Sequence, residues 1–389
     1  MSPKACLEFV SSLRRRYRNA TRAEKTRILD EVCQMCHYHR KHAIRLLNAD
    51  PLAPNCSPKP SSPKRRGRPP KYDHPELLPV LKDIWIAANL PCAKRLKAAL
   101  DVWLPKYPYP LSEDLAKLLR SISPATIDRL MAPIRKTGHP RGRATTRPGS
   151  LLKKKIPIKT QQWDESIPGF VEADTVAHCG ATTAGMFVYT LNCVDIATGW
   201  TEQRAVWGSG ERNTLDAIKS IEKALPFPLR GFDCDNGSEF LNWHLYRYLT
   251  GVRRVQFTRS RPYRKNDNAH VEGKNWTHVR QLIGYDRFDH PQLVDLLNDI
   301  YTSEWRLYHN FFLPSMKLVA KHRRGAKTVK VYDRPKTPLK RVLQSEHVPQ
   351  STKEQLQAQL NQLDPFELQK RMKNKIGTLF KVVNQLKQT

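Results

Sequence analysis

Three acidic residues, each inside a distinctive stretch, are the first candidates for chemistry. Asp174 ends the run Gly-Phe-Val-Glu-Ala-Asp, Asp235 begins Asp-Asn-Gly-Ser-Glu-Phe, and Glu272 is the acid of Asn-Ala-His-Val-Glu-Gly-Lys-Asn. Sixty residues separate the first pair and thirty-six separate the second. Divalent cations such as Mg²⁺ prefer oxygen ligands and keep positions open for water and phosphate. If the three carboxylates meet, they predict a site for two Mg²⁺ or Mn²⁺ ions that assists a displacement at phosphorus.

The sequence around these acids predicts the elements that must position them. Strands are predicted at residues 170–177, 186–196, 200–207, 229–235 and 254–258, and helices at 213–225, 238–249 and 268–283. Three strands followed by alternating helix and strand favour a mixed sheet with helices on its faces. Asp174 then lies within a strand and Glu272 near the start of a helix. Asp235 lies at a strand end, where sites of α/β proteins form.

The charge of the chain indicates which molecule this chemistry acts on. Among 389 residues, 67 are Lys or Arg and 36 are Asp or Glu, which gives a net charge of +31. This excess points to a polyanionic partner, with nucleic acid as the first candidate and an anionic membrane as the second. No apolar run approaches the roughly 18 residues that span a bilayer, and no secretory signal follows the N-terminal arginines. We therefore expect double-stranded DNA as the partner, no membrane, and a cytoplasmic, nucleoid-associated location.

Eight scattered cysteines are typical of reduced thiols. Cys33, Cys36 and His37 match the haem-attachment pattern Cys-x-x-Cys-His, and the neighbouring His39 and His42 would suit zinc. However, the sequence has no second cysteine pair at the spacing of a zinc finger, and the first three residues share one face of a predicted helix. We interpret the cluster as structural and predict no structural zinc.

The N-terminal residues 1–50 are basic and predicted to be helical. Thr21 and Glu24 have the spacing of a capping box, which indicates where one helix begins. A short break then precedes a second, Arg- and Lys-rich helix at residues 39–47. Two interpretations stay open for this pair: a helix-turn-helix that binds DNA, or an ordinary basic helical hairpin.

Two linkers carry much of the positive charge. Residues 51–72 contain seven prolines, and their Arg66-Gly-Arg68-Pro core resembles an AT-hook, whose arginines enter the minor groove of DNA. The alternative for this linker is a basic stretch that only adds solubility. The second linker, residues 136–162, has eight Lys or Arg between 136 and 160 and no acid there, so we expect it to bind backbone phosphates.

Residues 73–135, between the linkers, form a second predicted helix-turn-helix-like module with four helices. Its last helix begins at Ser123, a capping residue, followed by proline in the first turn. Apolar spacing directs one face of this helix inward and leaves Thr126 and Arg129 outward, as in a recognition helix. The final segment, residues 289–389, is predicted to be a basic C-terminal region of helices and a small β element.

At the three acids the sequence resembles the integrase-like transposases of insertion-sequence type, whose catalytic core is an RNase H-like fold with an Asp-Asp-Glu triad. The resemblance covers roughly residues 163–285 and is most specific at 235–240 and 260–272. It implies a multidomain protein: α-helical helix-turn-helix modules, then an α/β RNase H-like core at 163–288 with a mixed five-stranded sheet flanked by helices, then the C-terminal region. The family usually has thirty-five residues between the last two acids, one fewer than this chain.

The resemblance also implies a mechanism. Asp174 would bridge both metal ions, while Asp235 and Glu272 would each hold one. A water would be activated to release a 3′-hydroxyl at the end of the element, and that hydroxyl would attack target DNA. The partners would be the terminal inverted repeats of an element, its target DNA, and further copies of the chain in a synaptic complex. The loop before Glu272 would contact DNA through three basic residues, Arg261, Arg264 and Lys265.

Other residues near the triad are interpreted as structural or solvated, because none carries a comparable motif: Glu172, His178, Cys179, Asp195, Asp233, Glu239 and Asp267. Glu239 in particular is expected to cap the helix that follows the Asn-Gly turn. Three rival functions remain for such a chain: an RNase H-like nuclease, a transposase-derived DNA-binding regulator and a membrane-surface protein. The basic N-terminal modules, the intact triad and the lack of an amphipathic anchor, respectively, disfavour them.

Overall fold

The chain builds two units, Met1–Lys71 and Tyr72–Thr389. The computed structural model describes residues 2–49, 71–135, 166–260, 269–324 and 327–388. Several predicted features lie outside these described residues: Arg66 and Arg68, residues 136–162, Asp267, and the basic loop with Arg261, Arg264 and Lys265. The boundaries predicted for the six segments of the chain stay a prediction.

The first unit is a bundle of three helices: α1 (Pro3–Asn19), α2 (Arg22–Cys36) and α3 (Arg40–Asn48). The predicted capping box is confirmed, because the backbone N–H of Thr21 donates to a carboxylate oxygen of Glu24 over 2.9 Å at the start of α2. Three residues connect α2 to α3, at the predicted break. Helices α2 and α3 are the predicted pair, and α1 is a third helix before them. Their proposed role in binding DNA stays a prediction.

The cysteine pattern lies inside this bundle. Cys36 is buried in the apolar core together with Cys6 and Val32. His37 ends α2 in the left-handed backbone conformation, with φ of 54°. Burial of Cys36 among apolar side chains agrees with the structural interpretation of this residue.

The second unit begins with the four helices that the sequence predicted: α4 (Leu77–Ala87), α5 (Ala93–Trp103), α6 (Glu113–Ser121) and α7 (Pro124–Met131). The side chain of Ser123 caps α7 by accepting a hydrogen bond from the N–H of Thr126 over 3.2 Å. As expected, Arg129 is exposed on the outer face of α7.

A mixed five-stranded sheet follows, in the spatial order β3-β2-β1-β4-β5. Its strands are β1 (Phe170–Ala177), β2 (Val188–Asp195), β3 (Thr201–Trp207), β4 (Gly231–Cys234) and β5 (Gln256–Arg259). The first three strands pair antiparallel, and β4 and β5 run parallel to β1. This confirms the predicted mixed sheet and places β1 at its centre.

Helices cover both faces of the sheet. Side chains alternate along β1, so apolar residues point to each face. Val171 and Ala173 point to the face covered by α8 (Glu211–Ala224) and by the short α9 (Trp243–Tyr246), which continues as a π-helical segment. Val176 points to the other face. That face is covered by α10 (Ala269–Lys274), its π-helical continuation Asn275–Arg280 and the short α11 (Gln281–Ile283).

The predicted start of α9 at Ser238 is wrong. The helix begins at Trp243, and the side chain of Asn242 caps it by accepting from the N–H of Leu245 over 2.9 Å. Asparagine is among the strongest N-cap residues. The five residues that separate Gly237 from Trp243 form turns.

The outer edge of β3 is closed by asparagine side chains. Asn298 accepts from the N–H of Ala205 over 2.8 Å and donates to its carbonyl over 3.0 Å. Asn310 does the same for Thr201, at 3.0 Å and 2.9 Å. An unpaired sheet edge is a template for association with another strand. Side-chain amides therefore take the place of a sixth strand along β3.

The C-terminal part returns to the helices of residues 77–131. Its helices are α12 (Leu293–Ile300), α13 (Arg306–Phe312), α14 (Pro338–Gln344), α15 (Gln350–Gln362) and α16 (Pro365–Leu386). A π-helical segment joins α12 to α13. The predicted small β element contains β7 (Lys327–Tyr332), and its antiparallel partner β6 (Leu318–Arg324) was not predicted.

Helices α4 to α7 share one apolar core with α12, α13 and α16. Trp103 of α5 is fully buried, and its indole N–H donates to the carbonyl of Phe312 over 3.0 Å. Burying one such large side chain contributes about 1.5–3 kcal/mol. Residues 77–131 are therefore built into the same body as the C-terminal helices. Within the described part of the chain, no helix combines the length and apolarity needed to cross a membrane.

Candidate active site at the edge of the sheet

Asp174 lies towards the carboxyl end of β1, and Asp235 directly follows the adjacent parallel strand β4. Ala173 pairs with Cys234 in the parallel register, so the aspartate that follows each of them occupies the next position. Besides burial, the charge of Asp235 helps to raise the pKa of Asp174, as expected for carboxyl groups on adjacent strands. The sheet therefore brings together two of the three predicted acids.

The carboxylate of Asp174 is held by two donors. Oδ1 accepts from the backbone N–H of Thr175 over 2.8 Å, and Oδ2 accepts from Nδ2 of Asn275 over 2.6 Å. Burial and the neighbouring charges of Asp235 and Glu239 raise the pKa of Asp174 to about 7, against the effect of these two donors. A carboxylate with this pKa is costly to ionise and would be stabilised by a cation.

Asp235 follows β4 directly and begins a turn. Its Oδ1 accepts from the N–H of Gly237 over 2.9 Å. Asn236 anchors the same turn, since its Nδ2 donates to the carbonyl of Ser260 over 3.0 Å. Burial raises the pKa of Asp235 to about 6, and the charge of Glu239 adds to that rise. The Asn-Gly turn therefore positions Asp235, as the sequence indicated.

Glu239 belongs to the site rather than to a helix cap. Its Oε1 accepts from the hydroxyl of Thr175 over 2.8 Å, which ties the loop after Asp235 to the strand that carries Asp174. A side chain at Gly237 would displace this carboxylate, because an added Cβ would lie 2.6 Å from Oε2 of Glu239. The sequence offered one signal, the glutamate four residues after Asp235, but its direction depends on the turn.

Glu272 lies on the exposed face of α10. The inner face of the helix is tied to β1 in two places. Glu172, only 1% exposed, accepts from the N–H groups of His270 and Val271 over 3.0 and 3.3 Å, and Asn275 donates to Asp174. Among the described residues, no group of three acids, histidines or cysteines is arranged to hold a metal ion. The structure thus places Glu272 in an exposed position on a helix anchored to Asp174, one turn before Asn275.

A chain of hydrogen bonds between amide side chains runs from β3 through β2 and the helical segment at Asn275 to Asp174. Gln203, Asn192 and Asp174 occupy matching positions on β3, β2 and β1. Nε2 of Gln203 donates to Oδ1 of Asn192 over 3.1 Å, and Nδ2 of Asn192 donates to Oδ1 of Asn275 over 2.8 Å. Nδ2 of Asn275 in turn donates to Oδ2 of Asp174. The sequence analysis missed all three amides, because only the strand register aligns them.

An open groove of about 500 Å³ adjoins the aspartates. Its walls come from the ends of β1 and β2, the residues after β3, and the loop after β4: Thr175, Ala177, Thr183, Gly185, Met186, Phe187, Tyr189, Gly208, Ser209, Asp235, Gly237, Ser238 and Glu239. Met186 is 55% exposed at its rim. The groove opens Asp235 and Glu239 to solvent.

The other candidate residues near the site are structural. His178 is fully buried, bonded to Thr190 over 2.8 Å and stacked on Phe288, and burial lowers its pKa to about 3. Asp195 accepts from the N–H groups of Gly169 and Thr198, both over 2.7 Å. Asp233, Glu172 and Cys179 are buried as well. These arrangements agree with the structural interpretation of these residues.

The fold and the site define a helix-rich α/β protein in which a mixed five-stranded sheet presents paired aspartates at one edge. The chain belongs to the family of the uncharacterized protein y4rM of Sinorhizobium fredii. The two are 38% identical over 339 residues, which cover 86% of this chain and 94% of the relative. No family model matches the chain.

Solved structures similar to the chain include retroviral integrases. One is the simian T-cell lymphotropic virus intasome in complex with PP2A regulatory subunit B56 gamma, with 14% identity and a TM-score of 0.30, covering 50% of this chain and 64% of that one. The HTLV-2 integrase catalytic core domain in complex with magnesium shows 14% identity and a TM-score of 0.29, with 38% and 91% covered. The catalytic core domain of BIV integrase shows 13% identity and a TM-score of 0.26, and the match covers 36% of this chain and 83% of that one. Similarity at this level carries no information on activity.

Proposed function

We propose that this protein is a DNA transposase that cleaves the 3′ ends of a mobile element and transfers them to target DNA. One observation carries the proposal: Asp174 and Asp235 lie together at the sheet edge, and burial with neighbouring negative charge raises their pKa values to about 7 and about 6. Two buried carboxylates this close are costly unless a cation joins them. The resemblance of the motifs around Asp174, Asp235 and Glu272 to the Asp-Asp-Glu triad supports the same function.

The donor set fits Mg²⁺ or Mn²⁺. Carboxylate oxygens are the ligands that these hard cations prefer, and Asp174, Asp235 and Glu272 would hold them, two ions per site. When bound, the ions would stabilise the charge that develops on the attacking and leaving oxygens at phosphorus. Glu239 lies near the same aspartates and is a further carboxylate of the site.

The residues of the chain have separate tasks in this function. Asn275 orients the carboxylate of Asp174, and Glu172 holds the start of the helix that carries Glu272. The turn at Asn236 and Gly237 holds the carboxylate of Asp235. The groove beside Asp235 would take the DNA strand.

DNA is the partner that the charge of the chain favours, at net +31. Element ends would be bound by the AT-hook-like arm at Arg66 and Arg68 and by α7 through Thr126 and Arg129. The loop that leads into α10 would contact DNA near the site, through Arg261, Arg264 and Lys265. Coordinated joining of two ends would need a homo-oligomer assembled on DNA.

The test uses the full-length protein. Residues 77–131 share an apolar core with the C-terminal helices, and a fragment that separated the two would divide that core. The substrate is duplex DNA from either side of the gene, with Mg²⁺ or Mn²⁺. We expect strand cleavage and joining with these ions, none in EDTA, and assembly without chemistry in Ca²⁺, whose looser coordination misplaces the reacting oxygens.

Asp174→Asn, Asp235→Asn and Glu272→Gln should each abolish joining and leave DNA binding nearly intact. The matched control is Asp216→Asn on the surface of α8, where the side chain is 74% exposed. Joining above about a hundredth of the wild-type rate in any of the three would remove that residue from the site. Binding without cleavage under every metal would favour the DNA-binding regulator, and cleavage confined to RNA–DNA hybrids would favour the nuclease.

A further inference from the structure

Two exposed aromatic side chains stand next to the candidate site. Trp276 and Tyr285 are each 40% exposed, on and just after the helical stretch that carries Glu272. Their ring centroids lie 6.3 Å apart with the planes tilted by 44°. The two rings contact each other, and both are accessible to a ligand beside the candidate site.

Arg280 connects the aromatic pair to the sheet. The guanidinium of Arg280 lies 4.8 Å from the ring centroid of Tyr285. The same guanidinium donates to the carbonyl of Ala177, at the end of β1, over 2.8 Å. Trp276 follows Asn275, the residue bonded to Asp174. Both rings are therefore fixed relative to the strand that carries the first aspartate.

The position of Trp276 relates it directly to Glu272. The two residues are four apart and both exposed, so they share the outer face of the helical stretch. Ala177, whose carbonyl binds Arg280, also lines the groove beside Asp235. A nucleotide at the acids would have the aromatic pair as its neighbour.

We propose that Trp276 and Tyr285 form a stacking platform for an unpaired nucleobase at the end of a DNA strand held in the site. The inference rests on the proposed function and adds a binding element to it. Every base has a π-face that stacks on tryptophan or tyrosine, so such a platform accepts any sequence. The cation over Tyr285 also suits a polyanionic ligand. A frayed or overhanging end would leave the duplex and place its last base on Trp276.

The experiment measures stacking without catalysis. Full-length protein in EDTA is titrated onto a duplex with a two-nucleotide single-stranded overhang that contains 2-aminopurine, and onto the blunt duplex of the same sequence. Quenching of the 2-aminopurine fluorescence reports stacking on an aromatic ring. We expect strong quenching with wild type, a loss of most of it with Trp276→Ala, and partial recovery with Trp276→Phe. Affinity for the overhang duplex should fall about 10-fold in Trp276→Ala, with affinity for the blunt duplex unchanged.

Trp243→Ala is the matched control. Trp243 is 47% exposed on α9 and has its own partners, Tyr246 at 5.8 Å and Arg247 at 5.9 Å. Quenching should be unchanged in this variant. The platform is refuted if Trp276→Ala quenches like wild type, if Trp243→Ala loses as much signal, or if Trp276→Ala changes only self-association of the chain. Because the assay needs neither metal nor cleavage, its result is independent of whether Asp174→Asn abolishes joining.

Discussion

Asn275 donates a hydrogen bond from Nδ2 to Oδ2 of Asp174 over 2.6 Å, and this contact ties the helical stretch that carries Glu272 to the central strand of the sheet. The two residues are 101 positions apart in the chain. Asn275 in turn accepts from Asn192, so its amide has only one orientation that satisfies both partners. The orientation of Asp174 is therefore set by the helical stretch at Asn275, which is itself held by Asn192 of β2.

Removal of this amide should lower activity without unfolding the protein. Asn275→Ala is expected to reduce metal-dependent joining by about 10- to 100-fold, the usual cost of losing a group that orients a metal ligand. Asn275→Asp should be more damaging, because it places a further charge against a carboxylate that already has a raised pKa. Joining rates at several Mg²⁺ concentrations measure both effects.

The control for this prediction is Gln281→Ala, an exposed position a little further along the same helical stretch. It should join at the wild-type rate. A wild-type rate and Mg²⁺ dependence in Asn275→Ala would show that the chain of hydrogen bonds from Gln203 has no role in the site.

The stability of the metal-free protein should depend on pH through Asp174. Its pKa is about 7 when folded, against 3.8 for an ordinary aspartate. Between these values the folded chain keeps a proton that the unfolded chain loses, so stability falls as pH rises from about 4 to 7, and the full cost remains above pH 7. Asp174→Asn should therefore raise the metal-free Tm at pH 8 by about 2–5 °C.

The same variant should lose the stabilisation that Mg²⁺ gives to wild type, since a ligand stabilises only the state that binds it. Thermal scans at pH 4 and pH 8, with and without Mg²⁺, measure the four values. Asp216→Asn should follow wild type throughout. A Tm for Asp174→Asn below that of wild type at pH 8 would contradict the burial cost assigned to this carboxylate.

Glu172 should control the order of α10. Its buried carboxylate is the acceptor for two N–H groups at the start of the helix. Glu172→Ala leaves both donors without this partner, at a cost of about 1–3 kcal/mol. We expect faster amide hydrogen exchange across residues 269–283 and slower joining, with β1 to β3 still protected. The comparison is Glu211→Ala in the first turn of α8, an exposed acid that should change stability by only a few tenths of a kcal/mol.

The proposed AT-hook-like arm should contribute to affinity by binding phosphates and the minor groove. Arg66→Ala combined with Arg68→Ala is expected to weaken binding of element ends. The slope of log affinity against log salt should become shallower by about 0.9 for each phosphate that is no longer neutralised. Filter binding at a series of salt concentrations measures it. An unchanged slope would mean that the linker lies away from DNA. Arg129→Ala in α7 should instead reduce discrimination between element ends and unrelated DNA.

The sequence by itself predicted the order of strands and helices in the sheet region, and it singled out Asp174 and Asp235 as candidates. The strand predicted at residues 170–177 is β1, with the same bounds. Asp235 was placed at a strand end because the Asn-Gly pair after it demands a turn. The cap at Ser123 and the capping box at Thr21 were predicted for the same reason: they depend on interactions within four residues.

Only the tertiary structure decided which side chains meet. Glu239 turned to Thr175, and Asn275 to Asp174, because strand pairing and helix docking bring together residues that lie 64 and 101 positions apart. β6 was not predicted because this exposed, basic segment has no clear pattern of apolar residues. Its strand conformation comes from pairing with β7. The exposed position of Glu272 likewise followed from docking. Glu172 and Asn275 dock its helical stretch against β1, and the spacing of the acids carries no information about that docking.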